Sequence, residues 1–294
     1  MANLFRCGNG SGNAGGGGSD DISSLLDGSV TQFKDNKITQ LRDFAFSTCK
    51  NLTTVELSSV ETVGREAFRY CEALTRVELP SATVVGDCVF GDCTALEYAD
   101  LSNLTTGVDD MFGGCHSLKT VKLPKMIATS FGTFYGCIQL ENVELPSLIN
   151  LAAQSFRSCE SLKKIELPNI TTIESYTFAT CVSLETVNMP SVKSIASNAF
   201  RSCSSLTKLK FPVATSLGAN VFYGCAYLES LILSSTTLCS LSNSNSFTGT
   251  PIANGTGYIY VPSSLIDSYK TASQWSTYAN QFRAIEDYPE IVEN

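Results

Sequence analysis

Hydrophobic positions recur along this chain every 22 residues. Over residues 156–173 they are Phe156, Cys159, Leu162, Ile165, Leu167, Ile170 and Ile173; one period later they are Phe178, Cys181, Leu184, Val187, Met189, Val192 and Ile195. The phenylalanine column runs without a break from Phe46 to Phe222, the cysteine column from Cys49 to Cys225, and the leucine column from Leu52 to Leu228. A period of this length is the mark of a solenoid, because one such unit cannot bury its apolar face alone and a stack of them can.

Within a unit, L-x-x-I-x-L-P alternates around its last two apolar residues, which predicts a short strand. Pro80, Pro124, Pro146, Pro168, Pro190 and Pro212 follow at once, and a residue without an N–H ends the ladder and turns the corner. The stretch before each cysteine, such as ASNAFRSC, spaces its apolar residues by three and predicts one helical turn on the opposite side. Stacked units form a parallel sheet with rungs about 4.8 Å apart. Each inward side chain then meets its own equivalent above and below. The cysteines become a column of parallel Cβ vectors, a poor geometry for bridging. They read as small buried hydrophobes whose S–H meets a turn carbonyl. No C-x-x-C pair converges on a metal.

The register already shows at Val30, Phe33, Ile38, Leu41 and Phe46, a degenerate first repeat. It slips after Cys239, where extra residues precede Phe247. YIYVP restores a strand ending at Pro262; the following stretch has helical spacing, with Ser264 and Asp267 as an S-x-x-D start. Leu265, Tyr269, Trp275 and Phe282 are placed to cover the last rung. The expected organisation is a flexible Gly/Ser-rich segment 1–28, a solenoid 29–250, and a strand-and-helix cap 251–294. The fold class is an α/β repeat solenoid of about ten units: right-handed, with a parallel sheet on the concave face and short helical turns on the convex face.

The unit C-x-x-L-x-x-I-x-L-P-x(5)-I-x(4)-F-x-x-C resembles the BspA-type, or Treponema pallidum-type, bacterial leucine-rich repeat over roughly residues 30–247. The segment GYIYVPSSLIDSYKTASQWSTYANQFRAIE is similar to the closing segment of many such proteins from gut bacteria and their prophages. The resemblance implies a curved solenoid used for binding, adhesion to host proteins or other cells among its roles, and supplies no catalytic residues. This chain departs from the pattern at Ala99, Ser102, Gly107 and Thr129, so units between residues 94 and 131 are expected to be the loosest.

Composition narrows the function. A net charge of −8 and a pI near 4.8 argue against a phosphate-binding surface, hence against nucleic acid. No run approaches the roughly 18 apolar residues of a membrane helix, and the first residues carry no apolar secretory core, which leaves the export route open.

Outward positions flanking the strand aliphatics are the candidate site. One column reads Glu56, Glu78, Asp100, Lys122, Glu144, Glu166; its neighbour includes Arg76, Tyr98 and Lys164. These nine residues form either a solvated face that keeps the sheet soluble or a groove for a mixed-charge partner centred near Tyr98, Asp100 and Lys122. Tyr70, Tyr135 and Tyr223 lie near the turns, where they could stack on sugars. His116, the one histidine, falls on an exposed corner without triad partners. The repeated Glu pairs, such as Glu144 and Glu166, lie in the open rather than in a hydrolytic cleft. The expectation is a non-catalytic, cofactor-free and metal-free monomer that binds protein or glycan on another cell, as a bacterial surface or secreted protein. A prophage-encoded virion component and an intracellular scaffold are the alternatives.

Overall fold

Each 22-residue unit forms one coil, most of them carrying two short strands, in a computed structural model that describes residues 31–291; the expected flexible segment 1–28 lies outside that range. Coils stack with parallel strands in one register. Gln32–Asp35, Thr54–Leu57, Arg76–Glu78, Tyr98–Asp100 and Thr120–Lys122 make the first ladder. Lys164–Glu166 pairs with Thr186–Asn188. Lys208–Lys210, Ser230–Ile232, Tyr258–Val261 and Phe282–Ala284 complete the strand face. A second set of two-residue strands, from Gln40–Leu41 to Ser240–Leu241, runs along the adjoining side. As far as Ser230–Ile232, partners are offset by 22 residues, as in Val55 opposite Val77 and Val77 opposite Ala99, so the sequence period is the spatial register.

The core is a set of columns. Phe46 through Phe222 are fully buried, and successive rings stack with centroids 5.1–6.0 Å apart. Each column cysteine from Cys71 to Cys225 is a buried free thiol whose Sγ donates to the carbonyl of the phenylalanine in the preceding coil; Cys88, off the column, is half-buried. Cys71 reaches Phe46 O at 2.9 Å and Cys159 reaches Phe134 O at 3.2 Å. The thiol column therefore ties neighbouring coils together. Cys49, in the first coil, is disulfide-bonded instead. The corners after the first strands are tied in the same way: Ser59 Oγ donates to Asn36 O at 2.7 Å and Ser81 Oγ to Ser58 O at 2.7 Å.

The turn face departs from expectation. No helix forms between the second strands and the cysteines, because two residues per coil take left-handed backbone angles. Glu66 (φ 53°) and Tyr70 (φ 61°) flank Phe68, and the pattern recurs at Asp110 and Gly114, Gln154 and Ser158, Asn198 and Ser202. The reversals send alternate amides along the stack. Glu66, Phe68 and Tyr70 N–H donate to Asp87, Val89 and Gly91 carbonyls of the next coil, each at 2.9 Å. Arg69 and Cys71 N–H turn back to Glu66 and Phe68 at 3.1 Å. A left-handed angle costs an L-residue roughly 1–2 kcal/mol, but here it lets otherwise orphaned amides pair between coils. Apolar spacing of three suits such a turn as well as a helix.

The looseness expected between residues 94 and 131 is found in the second ladder but not in the first. Asp100 accepts the Ser102 backbone N–H at 3.1 Å and its hydroxyl, so Ser102 closes the corner without proline and the first ladder continues through Lys122. The ladder lapses one coil later: Asn142–Glu144 forms no strand. The second ladder thins to the single bridges Thr106–Ala128 and Ala128–Asn150, beside a polar insert in the core. There Thr129 Oγ1 meets Ser155 Oγ at 2.9 Å and accepts the Ala152 N–H at 2.9 Å.

Beyond Phe247 the coil is replaced by short 3-10 and helical segments. Phe247 packs on Trp275 and Tyr278 with centroids 5.9 and 5.0 Å away. Trp275 Nε1 donates to Cys239 O at 2.7 Å, and Tyr269 OH accepts the Cys239 N–H at 3.0 Å. The S-x-x-D start does not form. The helix Ile266–Thr271 has no side-chain cap, and Ser263 N–H goes instead to the Glu286 carboxylate at 2.9 Å.

Candidate functional site

Strand alternation aims Val77, Ala99 and Val121 into the core and Arg76, Glu78, Tyr98, Asp100 and Lys122 outward on three adjacent rungs. The structure brings these five together. Tyr98 is the centre: the Arg76 guanidinium lies 3.9 Å from its ring centroid and the Lys122 ammonium 5.5 Å away. Such pairs contribute roughly 0.5–1 kcal/mol each at exposed sites. Arg76 Nε donates to Glu78 at 2.8 Å, and Lys122 Nζ lies 3.3 Å from Asp100 Oδ2. Partial burial acts to raise the Asp100 pKa, but the Ser102 hydroxyl and the Lys122 ammonium outweigh it and hold the carboxyl below its ordinary value.

The remaining predicted residues lie on the same face but apart from this cluster. Glu56 is bonded to Lys34, and Lys164 to Glu166 at 2.6 Å. The acidic strip is thus largely neutralised by its own neighbours. Glu144 is the exception: among the described residues no cation or donor reaches its exposed carboxylate. It stands on the coil where the ladder lapses, between two grooves of about 570 and 520 Å³. One groove runs toward Lys164 and Pro168, the other toward Lys122 and Pro124. Nothing in LENVELP, residues 140–146, distinguishes this coil from its neighbours; the nearest signals are Thr129 and Ser155 in the adjoining core.

On the turn face, Tyr70, Tyr135 and Tyr223 each carry an arginine over a ring, at 4.7, 5.7 and 4.5 Å. One face of each ring is therefore occupied. Among the described residues, no group of three or more His, Cys, Asp or Glu side chains is placed to hold a metal, and no helix is long and apolar enough to cross a membrane. The exposed His116 borders a dent lined by Asp110, Gly113 and Tyr135.

The sequence matches the BspA type leucine rich repeat region, in six copies, over residues 29–132 and 128–253. No curated protein matches it. Among solved structures, a leucine rich cell surface protein from Faecalibacterium prausnitzii is similar, at 24% identity over 86% of this chain and 77% of its own, with a TM-score of 0.50; that likeness shows the fold. A leucine-rich repeat protein from Bacteroides ovatus matches at 25% identity over 87% of this chain and 84% of its own, TM-score 0.46. The leucine rich repeat protein of Treponema pallidum matches at 24% over 57% and 72%, TM-score 0.42.

Proposed function

The chain belongs to the BspA-type leucine-rich repeat family, and from that premise we propose that it is a non-catalytic binding protein whose strand face recognises protein or glycan on another cell. The observation that carries this reading is the fixed outward cluster of Arg76, Glu78, Tyr98, Asp100 and Lys122, continued by the grooves beside Glu144. An aromatic ring clamped by two cations on a rigid ladder is ordered before a ligand arrives, so less entropy is lost on binding. Tyrosine and arginine are the residues that dominate protein hot spots. Glu144 adds an unneutralised carboxylate for a basic group of the partner. The mutual pairing of the other charges also keeps the face soluble, and both roles are compatible because surface pairs worth roughly 0.2–1 kcal/mol are readily exchanged.

A surface or secreted location follows from this role. The test is an antibody against the native protein, applied to fractionated cells, culture medium and induced phage particles. Signal on intact cells or in the medium supports the reading. Signal confined to purified particles transfers the recognition role to a virion, and signal confined to the cytosol overturns it.

A further inference from the structure

The turn face holds its arginines by one repeated device. The Arg201 guanidinium lies 4.5 Å from the ring of Tyr223, one coil on, and its Nη1 donates to Asn198 Oδ1, three residues back, at 3.5 Å. Arg157 donates to Gln154 Oε1 at 2.9 Å and lies 5.7 and 5.3 Å from the rings of Tyr135 and Tyr176. Arg69 pairs with Glu66 at 3.2 Å and lies 4.7 Å from Tyr70. In all three, an acceptor at the left-handed position three residues earlier holds the guanidinium, and a tyrosine face covers it.

One coil has the acceptor and the ring but no arginine. Asp110 occupies the place of Asn198, Tyr135 that of Tyr223, and Gly113 that of Arg201. Gly91 leaves the same place empty in the preceding coil. The outcome is a dent of about 510 Å³ running from Arg69 to Tyr135, with Asp92 and Asp110 on its wall. The backbone does not ask for glycine here: neither Gly91 nor Gly113 has a positive φ, and Arg69, Arg157 and Arg201 fill equivalent positions. The missing side chain has consequences for what remains. No donor or cation among the described residues bonds the Asp110 carboxylate, whose Oδ1 would lie 3.4 Å from a methyl placed on Gly113. Burial, then Asp109, then Asp92 and Asp87 push its pKa up, opposed only by Arg69. Tyr135 remains 41% exposed, because Arg157 covers it from the following coil while Gly113, in the preceding one, covers nothing.

We propose that this dent is a socket for the guanidinium of an arginine side chain on a partner protein, which would sit as Arg201 sits between Asn198 and Tyr223. The chemistry selects arginine: a planar guanidinium stacks on the ring and donates to the carboxylate at once, whereas an ammonium is a strongly hydrated point charge. Asp92 already lies 3.7 Å from Arg69, but a neutral sugar would leave Asp110 uncompensated. The socket is on the turn face and does not depend on the strand-face reading.

The test is ligand-observed NMR on the full chain with N-acetyl-L-arginine amide, run beside N-acetyl-L-lysine amide. The arginine compound should bind severalfold more tightly than the lysine one, weaken about tenfold in Asp110→Gly, which removes the acceptor and keeps the left-handed backbone, the loss expected for one charge-assisted bond, and fail to bind Gly113→Arg, whose own side chain fills the socket. Gly113→Arg should also melt higher than Gly113→Ala, a difference that vanishes when Asp110→Gly is added. Equal binding of the two compounds, arginine binding unaffected by Asp110→Gly, or no binding of either would overturn the proposal.

Discussion

Cys159 shows how a single column position works. Its side chain is fully buried and its thiol donates to the Phe134 carbonyl, so the residue both packs and joins two coils. Burial pushes such thiols up, to about 12 for Cys181 and Cys225. Below about pH 8.5, folded and unfolded chains both keep the proton and nothing is lost. Above it the unfolded chain releases protons that the folded one retains, so stability falls as pH rises toward 12. The loss is about 1.4 kcal/mol per pH unit for each thiol shifted like Cys181. Urea unfolding should therefore show a much less stable protein at pH 10 than at pH 8, and Cys181→Ala should reduce that difference by one thiol's share, about 2 kcal/mol. Glycines separate strain from space at the same scale. Gly136 has φ 70° and an added methyl would come no nearer than 3.7 Å to any neighbour. Gly136→Ala should cost about 1 kcal/mol, the strain alone. A methyl on Gly86 would stand 2.4 Å from Arg65 N, so Gly86→Ala should cost more, roughly 1–3 kcal/mol, by denaturation midpoints.

At the scale of the element, the strand and the turn were unequally legible. Alternation in SLKKIELP marks Ile165 and Leu167 as inward and Lys164 and Glu166 as outward, and the ladder has them so. The turns are less legible because a spacing of three apolar residues does not distinguish a helix from successive left-handed reversals. Asn198, Asn220, Asp92 and Asp110 at those positions were the available signal, since asparagine and aspartate tolerate positive φ; Tyr70 and Tyr176 gave the opposite one. The lapse at Asn142–Glu144 had no local signal. The mutual satisfaction of the outward charges was legible only in part, since Arg76 and Lys164 stand beside their acids in sequence while the Tyr98 clamp requires knowing how side chains lean across rungs. Truncating one stacked ring tests the element's energetics: Phe178→Ala should cost roughly 3–5 kcal/mol, by equilibrium unfolding, because both neighbouring rings lie about 5.3–5.5 Å away and cannot close the gap.

Across the whole molecule, stability is a sum of coils and of the contacts between neighbours, so the weakest junction sets where the stack opens first. That junction is the coil at residues 142–146, which lacks ladder bonds to either side. Amide hydrogen exchange should find Val143, Glu144 and Leu145 less protected than Val121 and Ile165, the matching positions one coil away. The same junction lies between the two grooves and one coil beyond Lys122, which lies over the Tyr98 ring, so the part of the strand face without ladder bonds adjoins the clamped cluster. A partner that spans both would find ordered anchors and an adaptable edge together.

The measurement that bears most directly on strand-face recognition is equilibrium binding of the purified chain to a panel of extracellular-matrix proteins and immobilised glycans, repeated with Tyr98→Ala and Glu144→Lys. Tyr227→Ala, which removes an exposed ring outside the clamp and the grooves, serves as the control. At least one ligand should lose affinity about tenfold or more in both strand-face variants, the loss expected at a hot spot, and keep it in the control. Ligand binding that survives both strand-face substitutions intact would contradict strand-face recognition.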